Sequence, residues 1–306
     1  MANTHFLYNE LTRINFFDLH CDTLFESFSQ HKNLFDSAFS VNFKKISNFK
    51  NYTGCFAIWI PNNLKGKNAF DFFKKVLTNF KVQKKKYSKF LNENNINIIL
   101  TVEGGYVLGS DLSKIKILKS ENIKILTLTW NCSCEIGDGC DVINSSGLTK
   151  FGKQVVTELE NNDIIIDVSH ASEALFYDVC DTAKKPFIAT HSNSKNVYNH
   201  KRNITDEQFK IIRQNKGLVG INFCKNFLND PDKSNLEDIF LHIEKFLSLS
   251  GESSICIGSD FDGAETIEEI KDVCDISKLY NFLLKKNYKE SLVKKIFFEN
   301  AKNFFN

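Results

Sequence analysis

Eight short apolar runs of strand length, at residues 14–18, 55–60, 96–102, 123–129, 164–168, 187–190, 218–223 and 255–259, alternate with stretches of helical periodicity. Near-continuous apolarity rich in β-branched residues is what strands buried on both faces require, so the runs read as parallel and interior. Between them, FGKQVVTELENN places Phe151, Val155, Val156 and Leu159 on one helical face. TDEQFKIIRQN opens on Thr205 with Gln208 three residues later, the pattern of a capping box. Eight strands alternating with helices predict an α/β fold, a (β/α)8 TIM barrel, spanning residues 1–306 as one domain. The competing doubly wound sheet usually carries a glycine-rich phosphate loop, and neither GxGxxG nor GxxxxGK[ST] occurs.

In such a barrel the reactive residues sit at the C-terminal ends of the strands. Metal-binding side chains occupy those positions here: His20 and Asp22 in FFDLHCD, Glu103 in IILTVE, His170 in IIIDVSH and His191 in FIATHS. A lone HxD is more often incidental than a metal clamp. Its place at the end of the first strand changes that reading, because alternate residues of a strand share a face and Cys21 between them points away. Glu103 precedes Gly104 and Gly105, which free the backbone to turn and leave the carboxylate open to bridge two ions. Three histidines and two carboxylates suit two divalent cations about 3.5–4 Å apart, with an activated water between them. Asp260, closing CIGSD, is placed to carry protons, and Asp262 competes with it for that role.

Bulk properties narrow the partners. Lysine plus arginine number 39 against 37 acidic residues, so a net charge of +2 gives no drive toward nucleic acid or an anionic membrane surface. Lys84–Lys86 read as a solvated helix face. No apolar run approaches the roughly 18 residues that span a bilayer. Nine cysteines, an odd number, and no secretory pattern in MANTHFLYNELTRIN predict free thiols and a cytoplasmic location. Cys132, Cys134 and Cys140 lack the paired CxxC spacing of structural zinc and read as ordinary loop residues.

Together DLHCDTL, VEGG, LTLTWN, GLTKFGKQVV, IIIDVSH, FIATHSN, HKRN, GLVGINF and IGSDFDG resemble, in order and across nearly the whole chain, the membrane dipeptidase (renal dipeptidase) family of zinc peptidases. The resemblance implies a (β/α)8 barrel and two Zn2+ per chain, held by His20, Asp22, Glu103, His170 and His191 with Glu103 bridging. It further implies hydrolysis of small dipeptides, L,D-dipeptides included, by attack of a metal-bridging hydroxide, with Asp260 transferring the proton. Arg202 matches the arginine that holds the substrate's C-terminal carboxylate, and homodimers are common in the family. One departure stands out. Animal members carry a histidine after LTLT that contacts the substrate carbonyl, whereas this chain has Trp130 followed by Asn131. Trp130 has a single N–H donor and is assigned to the pocket wall, with Asn131 as a substrate-binding candidate. Two other readings compete: a barrel phosphoesterase or deoxyribonuclease, which would favour HxH on the first strand and a basic surface, and a catalytically silent small-molecule binder.

Overall fold

The computed structural model describes residues 11, 12 and 14–306; most of the segment MANTHFLYNELTRIN lies outside the described residues. Seven parallel strands form one sheet in the order β5-β4-β3-β2-β1-β7-β6: β1 (Asn15–Cys21), β2 (Asn51–Trp59), β3 (Ile96–Glu103), β4 (Ile123–Thr127), β5 (Ile165–Asp167), β6 (Val219–Ile221) and β7 (Ile255–Ile257). The longest register runs between β2 and β3, from Tyr52 opposite Ile96 to Trp59 opposite Glu103.

The eighth expected run, residues 187–190, forms no strand ladder, and this corrects the sequence expectation. It occupies the eighth place nonetheless, through single parallel bridges from Ile188 to Asp167 on β5 and from Ala189 to Val219 on β6. Val168 N–H donates to Ile188 O at 2.8 Å, and Gly220 N–H donates to Ala189 O at 2.8 Å, which joins the two sheet edges into a closed ring. Close approach explains why glycine stands at 258: a Cβ there would lie 1.8 Å from Thr190 O. The strands following β4 are shorter than the apolar runs predict, because the chain leaves the ladder to deliver polar side chains at the barrel mouth. Extension of β1 to Cys21 and of β2 back to Asn51 runs the other way, showing that polar residues at strand ends hide ladder pairing from a hydropathy reading.

Two apolar clusters support the ring. The smaller gathers Phe17, Leu19, Cys55, Ile125, Ile188, Leu218 and Cys256, from strands all around the barrel, and is joined by Ala301. The C-terminal helix Asn300–Phe305 stacks Phe305 on Phe17 with ring centroids 5.3 Å apart. The larger cluster packs helices against the outside of the sheet, Phe16, Phe56, Phe73, Phe209 and Phe246 among its fully buried members. Each such side chain contributes about 1.5–3 kcal/mol on leaving water.

The helices follow the expected pattern, with Lys150–Asn161, Glu173–Thr182, Asp206–Gln214 and Leu236–Ser248 packed by their apolar faces. Thr205 and Gln208 form the reciprocal capping box. Lys84–Lys86 are exposed in the last turn of Gly66–Lys86, where cations complement the helix dipole. Among the described residues no helix is long and apolar enough to cross a membrane.

Candidate metal centre

The barrel brings all five expected ligands and Asp260 to one place. His20 lies in β1, Asp22 immediately after it and Glu103 at the last position of β3. His170 follows β5 in a tight turn, His191 follows the bridging segment, and Asp260 follows β7. His170 and Asp260 both adopt left-handed backbone, φ 66° and 63°, a conformation non-glycine residues rarely hold unless their surroundings impose it. All six are nearly inaccessible to solvent, none more than 8% exposed.

Glu103 stands between two groups. Its Oε1 lies 2.8 Å from His170 Nε2 and 3.6 Å from His191 Nε2, while Oε2 lies 3.7 Å from His20 Nε2. His20 Nε2 is also 3.2 Å from Asp22 Oδ2 and 3.9 Å from Asp260 Oδ1. On the other side the Nε2 atoms of His170 and His191 face each other at 2.9 Å. Burial holds both of these imidazoles well below the usual histidine range, reinforced for His170 by the Arg202 charge and for His191 by His20. His20 goes the other way: burial opposes its protonation, but the Asp22, Glu103 and Asp260 carboxylates outweigh burial and carry it up to about 10. Burial also pushes the Glu103 carboxyl well above the ordinary range.

These residues fit divalent cations. Ring nitrogens of neutral imidazoles and a carboxylate oxygen converge as acceptors on the His170 side, and His20, Asp22 and Asp260 converge on the other. Asp22 Oδ1 is buried without a hydrogen-bond partner, an orphan a cation would satisfy. Carboxyl oxygens of Asp22, Glu103 and Asp260 lie 3.2, 3.7 and 3.9 Å from His20 Nε2, and hard oxygen donors mixed with imidazole suit zinc and its neighbours.

Several supporting residues escape a sequence reading. Asn222 donates its Nδ2–H to Asp260 Oδ2 at 2.9 Å, leaving Oδ1 turned toward His20, and Asn222 is itself held by Asn193 through two backbone contacts. Asp18 accepts from Ser259 N–H, the Ser259 hydroxyl and His20 N–H, and burial pushes its carboxyl up to about 6. A Cβ on Gly263 would sit 2.0 Å from Asp22 Oδ2 and 2.8 Å from Asp260 Oδ1, so only glycine allows both carboxylates to approach. The competitor Asp262 is occupied structurally: its carboxylate accepts from the Thr23 hydroxyl at 2.6 Å and from Ser40 and Val41 N–H.

A cavity of about 500 Å3 opens onto the centre, bounded by Asp22, Glu103, His170 and Asp260 on one side and by Phe25, Trp59, Trp130 and Phe227 on the other. Trp130 lines this cavity, in edge contact with Trp59 at 5.4 Å. Asn131 lines the same cavity, but its Oδ1 is 2.6 Å from His170 Nδ1, so the side chain orients that histidine. Arg202 is not among the cavity's lining residues. It lies beside them, 4% exposed, with Nη2 donating to His191 O at 3.3 Å and the guanidinium carbon 5.4 Å from the Phe227 ring centroid. Its Nε is buried without a partner, and among the described residues no carboxylate pairs with it. All nine cysteines lie among the described residues, and no disulfide joins any of them.

The sequence pattern of the membrane dipeptidase family (peptidase family M19) matches residues 5–305. Among solved structures, the dipeptidase AC of family M19 is 25% identical with a TM-score of 0.86, over 94% of this chain and 96% of that one. A metallo peptidase from Rhodobacter sphaeroides, bound to a phosphinate mimic of the dipeptide L-Ala-D-Ala, is 23% identical with a TM-score of 0.85, over 94% of this chain and 97% of the other. A protein of Klebsiella pneumoniae, uncharacterized and from the pqqA 5' region, is 29% identical over 216 residues, 66% of this chain and 79% of its own length. Family match, closed barrel and converging ligands agree: this chain belongs to the membrane dipeptidase family, peptidase family M19.

Proposed function

We propose that this metal-dependent dipeptidase works with two zinc ions, one held by His20, Asp22 and Glu103 and the other by Glu103, His170 and His191. The observation that carries the reading is the division of Glu103, one oxygen toward each group of ligands. When bound, the ions polarise the scissile carbonyl and bring a water to nucleophilic strength near neutral pH. The remaining work falls to the chain. Asp260, tethered through one oxygen by Asn222, has the other free to take the water's proton and pass it to the leaving amine. Arg202, fixed in charge and lacking a carboxylate partner, receives the substrate's C-terminal carboxylate, for which a planar guanidinium is suited. Phe25, Trp59 and Trp130 form an apolar wall that excludes water beside the reacting bond. Trp130 has one N–H donor and offers no cationic group to the carbonyl.

A cavity of about 500 Å3 is of dipeptide size. The Rhodobacter sphaeroides protein holds an L-Ala-D-Ala mimic, which supports tolerance of a D-residue at the C-terminal position. The deoxyribonuclease alternative favours HxH on the first strand and a basic surface; here the first pair is His20 and Asp22, and no lysine or arginine is among the cavity's lining residues. A silent binder would have no need of the intact ligand set. Nine cysteines with no disulfide among them support a reducing compartment, the cytoplasm, and the chain is assigned as one barrel domain over residues 1–306, pairing as a homodimer. Turnover of L,L- and L,D-dipeptides, assayed with and without a chelator, tests the activity. Hydrolysis that the chelator stops is the expected result; cleavage of a phosphodiester with no dipeptide turned over would replace this reading.

A further inference from the structure

We infer that Asp167, acting through the Thr190 hydroxyl, fixes His191 as the Nδ1–H tautomer and so sets how tightly the centre holds the cation on its His170–His191 side. The inference rests on the two-metal reading above.

Asp167 is fully buried at the end of β5, and four donors converge on it. Ser169 N–H and Thr190 N–H donate to Oδ1 at 2.9 Å each, and the Thr127 and Thr190 hydroxyls donate to Oδ2 at 2.6 and 2.7 Å. A hydroxyl has one hydrogen. Thr190 gives that hydrogen to the carboxylate, so toward His191 Nδ1, 2.8 Å from its oxygen, it can act only as acceptor. Nδ1 therefore carries the ring proton, and Nε2 presents its lone pair toward Glu103 Oε1 and His170 Nε2. Ser169 strengthens the placement from the main chain, its hydroxyl accepting His191 N–H at 3.1 Å. Were Thr190 unable to accept, the other tautomer would put a hydrogen on Nε2, where a cation must bind. Orienting contacts of this type change metal affinity by roughly 10- to 100-fold. His170 is oriented independently by the neutral Asn131 amide, so of these two histidines it is His191 that carries the carboxylate-backed relay.

Asp167 and Thr190 are positioning residues, and Thr190 is the better probe, because Thr190→Val leaves Asp167 three of its four donors. The experiment uses the full chain, stripped of metal by a chelator and titrated with zinc against a chromophoric competitor. Wild type, Thr190→Val and Thr190→Ser are compared, with 15N spectra of the histidine side chains recorded on the metal-free proteins. The expected result is that Thr190→Val binds one of two zinc ions about 10- to 100-fold more weakly while the other is unchanged. Thr190→Ser restores wild-type affinity, and His191 shows a protonated Nδ1 in the wild type but not in the valine variant. Wild-type affinities in Thr190→Val, an equal loss in the serine and valine variants, or His191 protonated at Nε2 in the wild type would each overturn the inference. Uptake of fewer than two zinc ions by the wild type would overturn the two-metal reading, and this inference with it, through a separate observation.

Discussion

The proposed mechanism divides its labour between Asp260 and Asn222, which are joined by a hydrogen bond. A carboxylate tethered through one oxygen can shuttle a proton through the other, and an amide in its place cannot. Asp260→Asn should lower kcat by about 10²- to 10⁴-fold while the zinc content measured by atomic emission stays that of the wild type; loss of metal along with activity would make Asp260 a ligand instead. Arg202→Ala should raise KM for dipeptides roughly 10- to 100-fold, the worth of a charge-assisted hydrogen bond, and leave analogues with a blocked carboxylate untouched. Equal effects on both substrates would remove the carboxylate from its account. At this scale the sequence exposes the candidate ligands, because histidine and carboxylate at strand ends have little structural use. Gly263, Asn222 and Asp167 stay hidden, since what they do depends on contacts made only after the ring closes, such as the approach of Gly263 to Asp22, which leaves no room for a Cβ.

Secondary elements were legible wherever the apolar period was long, as in the helix Leu236–Ser248 or the capping box at Thr205. Residues 187–190 were legible as an apolar run but not as the weakly laddered segment they are, since hydropathy reports burial and not hydrogen-bond count. The helix Leu236–Ser248 contributes more than packing. His242, fully buried within it, accepts Ser194 N–H at Nδ1 and donates from Nε2 to Leu228 O, both at 3.0 Å, tying the helix to the loop that follows His191. Burial lowers its pKa from 6.5 to about 4. Because the folded value lies below the unfolded one, this contribution is complete above pH 6.5 and is lost as the pH falls toward 4. The loss is on the order of 3 kcal/mol. Urea unfolding at pH 7 and pH 4.5 should therefore show less acid destabilisation in His242→Gln than in the wild type. Identical acid sensitivity would place the titrating groups elsewhere.

Over the whole molecule, a barrel of this kind separates stability from chemistry. Aromatic packing of Phe17 against the C-terminal helix secures one end, and the centre with its acidic cavity occupies the other. The fold was readable from alternation, and strand-end chemistry marked the candidate ligands that the barrel gathers, whereas the cavity's charge was not readable, because its six acidic residues come from segments spread between Asp22 and Glu265. Such a concentration of carboxylates costs stability until cations enter, so zinc at 100 times its Kd should add about 2.7 kcal/mol to unfolding for each ion bound. The most direct test of the central claim is a zinc titration of the metal-free chain with L-Ala-D-Ala hydrolysis followed at each step. The account predicts turnover that rises to its maximum at about two equivalents per chain; full activity at one equivalent, or none at any zinc level, would contradict it.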